Sequence, residues 1–177
     1  MNNFLERSKI LQENSSQLDL SVKEISKLYI DSIKNGGKLI FAGNGGSAAM
    51  ASHVAVDFTK NASIRAINFN EADLITCFAN DYGYENWVEQ ALKFYANEND
   101  LIVLISSSGN SMNMVNAANY CKQVNMDVIT LTGFSDKNKL CNLGKINFWV
   151  DSSEYNIVEM THHIILLLLV DGFINKS

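Results

Sequence analysis

Proline is absent from all 177 residues, so every turn must be made by Gly, Asn, Asp or Ser. Cysteine is scarce as well: Cys77, Cys121 and Cys141 are odd in number and share no close ligand spacing. That excludes a disulfide framework and a zinc ribbon, and the expected state is three reduced thiols in a cytoplasmic protein. Basic residues are outnumbered, 14 Lys+Arg against 19 Asp+Glu, and form no cluster. The electrostatic footprint of a nucleic-acid binder is therefore missing, and no nucleic-acid partner is expected. The longest apolar run, Ile164 to Val170, is far shorter than the ~20 residues that cross a bilayer. Met1 to Ile10 carries Glu6, Arg7 and Lys9 and has no apolar stretch of signal-peptide length, so no membrane association or export is expected.

What is present is material for one core: 47% apolar and 19% charged residues. At this length the prior is a single domain, which excludes a two-domain cofactor enzyme. Leu18 to Ile33 has helical spacing, with Ser21 and Glu24 as a capping box and Gly36-Gly37 as the stop. It belongs to a pair of N-terminal helices over 1–36. Five short Ile/Val/Leu-rich runs follow: Lys38 to Ala42, Ile64 to Asn68, Leu101 to Ile105, Val128 to Leu131 and Ile146 to Val150. Between and after them lie stretches of helical period at Ala48 to Phe58, Asp73 to Ala96, Met112 to Val124, Lys137 to Leu143 and Asn156 to Ile174. Strands apolar on both faces and alternating with helices predict an α/β three-layer sandwich, with a parallel five-stranded sheet over 37–177.

In such a sheet ligands bind beyond the carboxyl ends of the strands. After the first strand comes Gly43-Asn44-Gly45-Gly46-Ser47, running straight into a helix rich in small residues. Glycines let the backbone approach a ligand, and the amides of the helix's first turn favour an anion. The same segment could be a tight turn with Ser47 as N-cap. It is neither a Walker loop nor a dinucleotide fingerprint. After the third strand comes Ser106-Ser107-Ser108-Gly109-Asn110-Ser111, again opening a helix. Its hydroxyls and free amides can hold a phosphate without Lys or Arg.

These two loops, with Ala79-Asn80-Asp81-Tyr82-Gly83-Tyr84-Glu85, resemble the sugar isomerase (SIS) domain family in its phosphoheptose isomerase branch, over about residues 20 to 172. The resemblance implies a single SIS domain over 1–177, a homotetramer with sites at subunit interfaces, and interconversion of sedoheptulose 7-phosphate with an aldoheptose 7-phosphate destined for lipopolysaccharide or capsule. It implies phosphate contacts from Ser106, Ser108 and Ser111, sugar contacts from Asn44 and Ser47, and a polar residue, Asp81, at the substrate's edge; Ser107 and Asn110, and Gly45 and Gly46, are added as candidates from the same two loops.

Aldose–ketose isomerisation also needs acid–base groups. His53 and Asp57 lie one turn apart on one helix face. The resemblance makes Asp57 the base, one methylene shorter than the family's Glu, and makes the pair able to bind zinc; the residues alone demand no cofactor. Aligning Ile157 and Glu159 with the family's Ile-Gln-Glu puts Val158 at the ligand Gln and Leu166 at the acid His. Residues 158, 162 and 166 form one stripe, so His162 could supply the missing imidazole. Glu159 and His163 form a second pair on the adjoining stripe. The other functions implied by relatives are a non-catalytic phosphosugar-binding protein and an interaction protein of the kind that binds the initiator DnaA. Ile164 to Val170 is too apolar for one helix face, so that helix is expected to be buried on both sides at an oligomer centre.

Overall fold

The computed structural model describes residues 15–174. The five apolar runs form β1 (Leu39–Gly43), β2 (Ala66–Asn68), β3 (Leu101–Ser106), β4 (Val128–Gly133) and β5 (Ile146–Val150). All pair in parallel, in the order β2-β1-β3-β4-β5. The helices are α1 (Ser15–Lys34), α2 (Gly46–Asn61), α3 (Ala72–Tyr82), α4 (Trp87–Tyr95), α5 (Met112–Gln123) and α6 (Tyr155–Ile174).

Side chains alternate across a strand, and here both sides are apolar. Leu39, Phe41, Leu101, Val103 and Ile105 face α1, α2 and α6. Ile40, Ala42, Ile102 and Leu104 face α4 and α5, against Trp87, Val88, Leu92, Met114 and Ala118. Phe58 on α2 is fully buried and in ring contact with Tyr29, Phe41 and Phe173. Truncating it to Ala would cost about 3–5 kcal/mol.

The differences from the expected elements have local causes. The predicted helix 73–96 is two helices, because Gly83, at φ 85°, ends α3. The predicted helix 137–143 is a run of turns. There Leu140 N–H donates to Gly109 O in the serine loop and Cys141 N–H to the Asn138 side chain, so neither donor serves a helix. The expected capping box fails: α1 begins at Ser15, so Ser21 lies inside the helix. The rest of the expected N-terminal helix pair lies outside the described residues. Helix α6 is long and apolar enough to cross a membrane by length and composition. In the fold its Ile157, Val158, Ile165, Leu166, Leu169 and Val170 are core. Its other side is open in this single chain, where Met160 and Leu168 are exposed.

Candidate functional site

The strand order reverses direction at one place. The chain leaves β1 toward β2, then returns to the other side of β1 as β3. The crevice opened by such a reversal is where open α/β sheets bind ligands. The loops after β1 and β3 flank it. Asn44, Gly45, Gly46, Ser47, Ser106, Ser107, Ser108 and Ser111 line one cleft of about 250 Å³, together with Tyr155 and Glu159 of α6. Its volume lies just below the roughly 300–1,000 Å³ of drug-sized sites, which suits a small polar ligand.

The serine loop is braced from outside. Gly109, at φ 64°, packs so closely on Asn138 that a Cβ there would lie 2.0 Å from Oδ1. Asn138 Nδ2 donates to Ser135 O (2.8 Å). Ser107 O accepts from Gly133 N–H (2.9 Å), tying the loop to the end of β4. The Ser107 hydroxyl is buried without a partner, and Ser111, the N-cap of α5, makes no side-chain cap bond. These hydroxyls and the first amides of α5 are thus available to an oxyanion. Asn110 does not line the cleft. Its Nδ2 donates to Ser108 O, and its Oδ1 accepts from Lys139 N–H, so it shapes the loop from behind.

On the glycine loop, Asn44 and Asn113 exchange reciprocal amide hydrogen bonds of 3.0 and 2.8 Å. Asn113 is buried at the start of α5, and the Tyr84 hydroxyl donates to Asn44 Oδ1 at 3.1 Å. Neither Asn113 nor Tyr84 was singled out as a site residue from the sequence. The signal available was Tyr84's place in the third motif. Asp81 is exposed on α3, bonded to Asn80, and does not reach this cleft.

The acid–base candidates separate sharply. His162 is fully buried; its Nε2 bonds Thr132 O at 3.0 Å, its Nδ1 has no partner, and burial pushes its pKa down to about 4. It faces the sheet, as do its stripe-mates Val158, packed on Gly133, and Leu166. The expectation that this stripe carries an imidazole into the site is therefore corrected. The next stripe faces α2. His163 Nε2 lies 2.9 Å from His53 Nδ1, and His53 Nε2 lies 3.3 Å from Asp57 Oδ2. An ionised carboxylate only accepts, which places the His53 proton on Nε2, makes Nδ1 the acceptor for His163 Nε2–H, and leaves the lone pair on His163 Nδ1. Burial and the neighbouring His53 lower the His163 pKa, against a smaller opposing effect of Asp57. Glu159, one turn before His163, lines both the loop cleft and an adjoining pocket of about 340 Å³ that holds His53 and His163.

A zinc ion held between His53 Nε2 and Asp57 Oδ2 would draw no third ligand from His163. His53 turns opposite ring edges to Asp57 and His163, so the three cannot surround one ion. Among the described residues no three His, Cys, Asp or Glu side chains converge as a metal site.

The SIS domain matches the chain over residues 4–133. The phosphoheptose isomerase of Helicobacter pylori is 30% identical over 174 residues, covering 95% of this chain and 90% of that protein. That of Cytophaga hutchinsonii is 32% identical over 179 residues, covering 95% and 89%. The solved structure of phosphoheptose isomerase GmhA from Neisseria gonorrhoeae superposes with a TM-score of 0.90 at 26% identity, covering 97% of this chain and 96% of that one.

Proposed function

The chain belongs to the SIS domain family, and we propose that it is an aldose–ketose isomerase of a phosphorylated sugar, interconverting sedoheptulose 7-phosphate and an aldoheptose 7-phosphate. The observation that carries this reading is one cleft at the sheet's reversal point that joins an oxyanion cradle to a carboxylate, with an imidazole pair in the adjoining pocket.

Ser106, Ser107, Ser108 and Ser111, with the first amides of α5, hold the phosphate. Asn110 keeps that loop in shape, while Asn44, Gly45, Gly46 and Ser47 meet the sugar. Anchoring fixes carbons 1 and 2 against the acid–base groups, and such orientation supplies much of the rate. The reaction moves one proton between carbons and one between oxygens. A carboxylate takes the C1 proton of the ketose, the C–H electron pair forms C1=C2, and negative charge grows on O2. His163 Nδ1 takes the O1 proton and returns it to O2. C1=O then forms as C2 regains the carbon-bound proton. His53 steadies the transient imidazolium through its contact with His163, and Asp57 does so through His53. Two carboxylates, Asp57 and Glu159, flank the imidazole pair.

The finer reading adds a cytoplasmic homotetramer that supplies heptose to lipopolysaccharide or capsule. Met160 and Leu168 on α6 and Val56 on α2 are exposed apolar side chains that suit a subunit contact, and Asp81 would meet substrate only across one. The test is turnover of sedoheptulose 7-phosphate, followed by NMR, with light scattering for subunit number. Conversion to an aldoheptose phosphate is expected; calorimetric binding without conversion would favour a phosphosugar-binding protein instead.

A further inference from the structure

We propose that Glu159, not Asp57, is the catalytic base that carries the carbon-bound proton, and that Asp57 is a positioning residue acting through His53; this rests on the isomerase reading above.

Placement separates the two carboxylates. Glu159 lines the cleft that contains Ser106, Ser108 and Ser111, and also the pocket that contains His53 and His163. Asp57 lines neither. A ligand anchored on the serine loop therefore reaches Glu159 before it reaches Asp57, in α2's fourth turn.

Occupancy separates them again. Asp57 Oδ1 accepts from Asn61 Nδ2 at 3.2 Å, and its Oδ2 faces His53 Nε2 at 3.3 Å. Both oxygens are committed to holding neighbours. Among the described residues no donor is bonded to the Glu159 carboxylate, so its lone pairs are open to substrate. A group about to take a proton must present an unshared pair to it within ~3 Å.

The backbone makes room for this side chain. A Cβ built on Gly46 would lie 2.5 Å from Glu159 Oε2 and 3.0 Å from Oε1. Only a residue without a side chain lets both carboxylate oxygens rest on the glycine loop, at the edge where the sugar end must lie. Gly46 thus has a use beyond turning the chain. The shorter reach of Asp57, one methylene less than the family's Glu, becomes unimportant if Asp57 never touches substrate. Its length instead suits a contact to an imidazole on its own helix, one turn back.

The step balances without a co-reactant. Glu159 takes the C1 proton, becomes a carboxylic acid, and returns that proton to C2; no oxidant or metal enters.

The experiment uses the full chain with sedoheptulose 7-phosphate in deuterium oxide, comparing wild type, Glu159→Gln, Glu159→Asp and Asp57→Asn. Calorimetry reads binding, and NMR reads turnover and solvent deuterium entering the sugar. Glu159→Gln is expected to bind within about threefold of wild type, with turnover and exchange down about 10³-fold, and Glu159→Asp to fall between. Asp57→Asn should lose only about tenfold and still exchange. Exchange that survives in Glu159→Gln, or that vanishes equally in Asp57→Asn, overturns the assignment while leaving the isomerase reading intact. A wild-type protein that neither binds nor converts the sugar overturns both. Unchanged thermal unfolding shows that the Gln variant is folded, since Glu159 is only half-buried and Gln keeps its shape.

Discussion

Replacing Gly109 by Ala should both unfold the protein earlier and loosen its hold on phosphate. At φ 64° an L-residue pays a backbone penalty of roughly 1–2 kcal/mol. The new Cβ would also lie 2.0 Å from Asn138 Oδ1, 2.1 Å from its Cγ and 2.7 Å from its Cβ. A clash with the tip alone could be relieved by rotation; this one involves the whole side chain, which must leave. Asn138 is buried, donates to Ser135 O, and accepts from Cys141 N–H. Two bonds at about 1 kcal/mol each add to the backbone cost, giving a total of about 3–4 kcal/mol. For a chain of this size that is a fall of ~6–16 °C in melting temperature. Gly36→Ala is the control. Its φ is also positive, 79°, but a Cβ there meets nothing within 4 Å, so only the backbone penalty applies. Calorimetric unfolding of the two variants isolates the steric part, and sulfate or sugar-phosphate titration of the Gly109 variant should show affinity lowered at least tenfold. Equal melting temperatures for the two variants would refute the argument that Asn138 pins the serine loop.

Gly46→Ala should behave in the opposite way. The atom it meets is the end of the Glu159 side chain, so stability should change by less than about 1 kcal/mol while turnover falls about 10²-fold, as measured by unfolding and NMR assay. Asn113→Ala removes the reciprocal amide pair with Asn44. It should cost about 1–3 kcal/mol and weaken sugar-phosphate binding more than sulfate binding, which paired calorimetric titrations would detect. His162 has a folded pKa near 4, below its ordinary 6.5, so it is neutral in the fold and protonates first in the unfolded chain. Its contribution is complete above pH 6.5 and is lost as pH falls toward 4, by about 3 kcal/mol. Urea midpoints of wild type should therefore drop between pH 7 and 4.5 more than those of His162→Leu; parallel slopes would contradict this.

The sheet and the two loops that line its cleft were legible because their signals are local. Continuous apolar runs declare buried parallel strands, and Gly-rich or Ser-rich segments directly after them declare the loops that meet ligands. Breaks in helices were harder. Gly83 was present as a stop signal, yet the apolar spacing on either side reads as one helix until the positive φ is seen. The turns at 137–143 could not be read locally, because Leu140 N–H goes to Gly109 O in the distant serine loop. The Asn44–Asn113 pair joins residues far apart in sequence, and amides carry no periodic pattern that would announce it.

The assignment of faces on α6 depended on something else. On a helix with a clear apolar stripe, periodicity tells which side chains meet the core. Here Ile164 to Val170 is apolar all round, so the sequence pattern does not choose between the stripe through 158 and 162 and the one through 159 and 163. Alignment to a family motif then decides it, and one residue of rotation, about 100°, exchanges the sheet-facing and α2-facing histidines. In the fold two contacts fix the rotation. Val158 sits where Gly133 has no side chain, and His162 Nε2 is satisfied by the carbonyl of Thr132 at the end of β4. Both belong to the same strand end. That end puts His162 into the core and delivers Glu159 and His163 to the pocket beside the glycine loop, so the proposed acid–base pair is placed by the packing of residues outside the cleft.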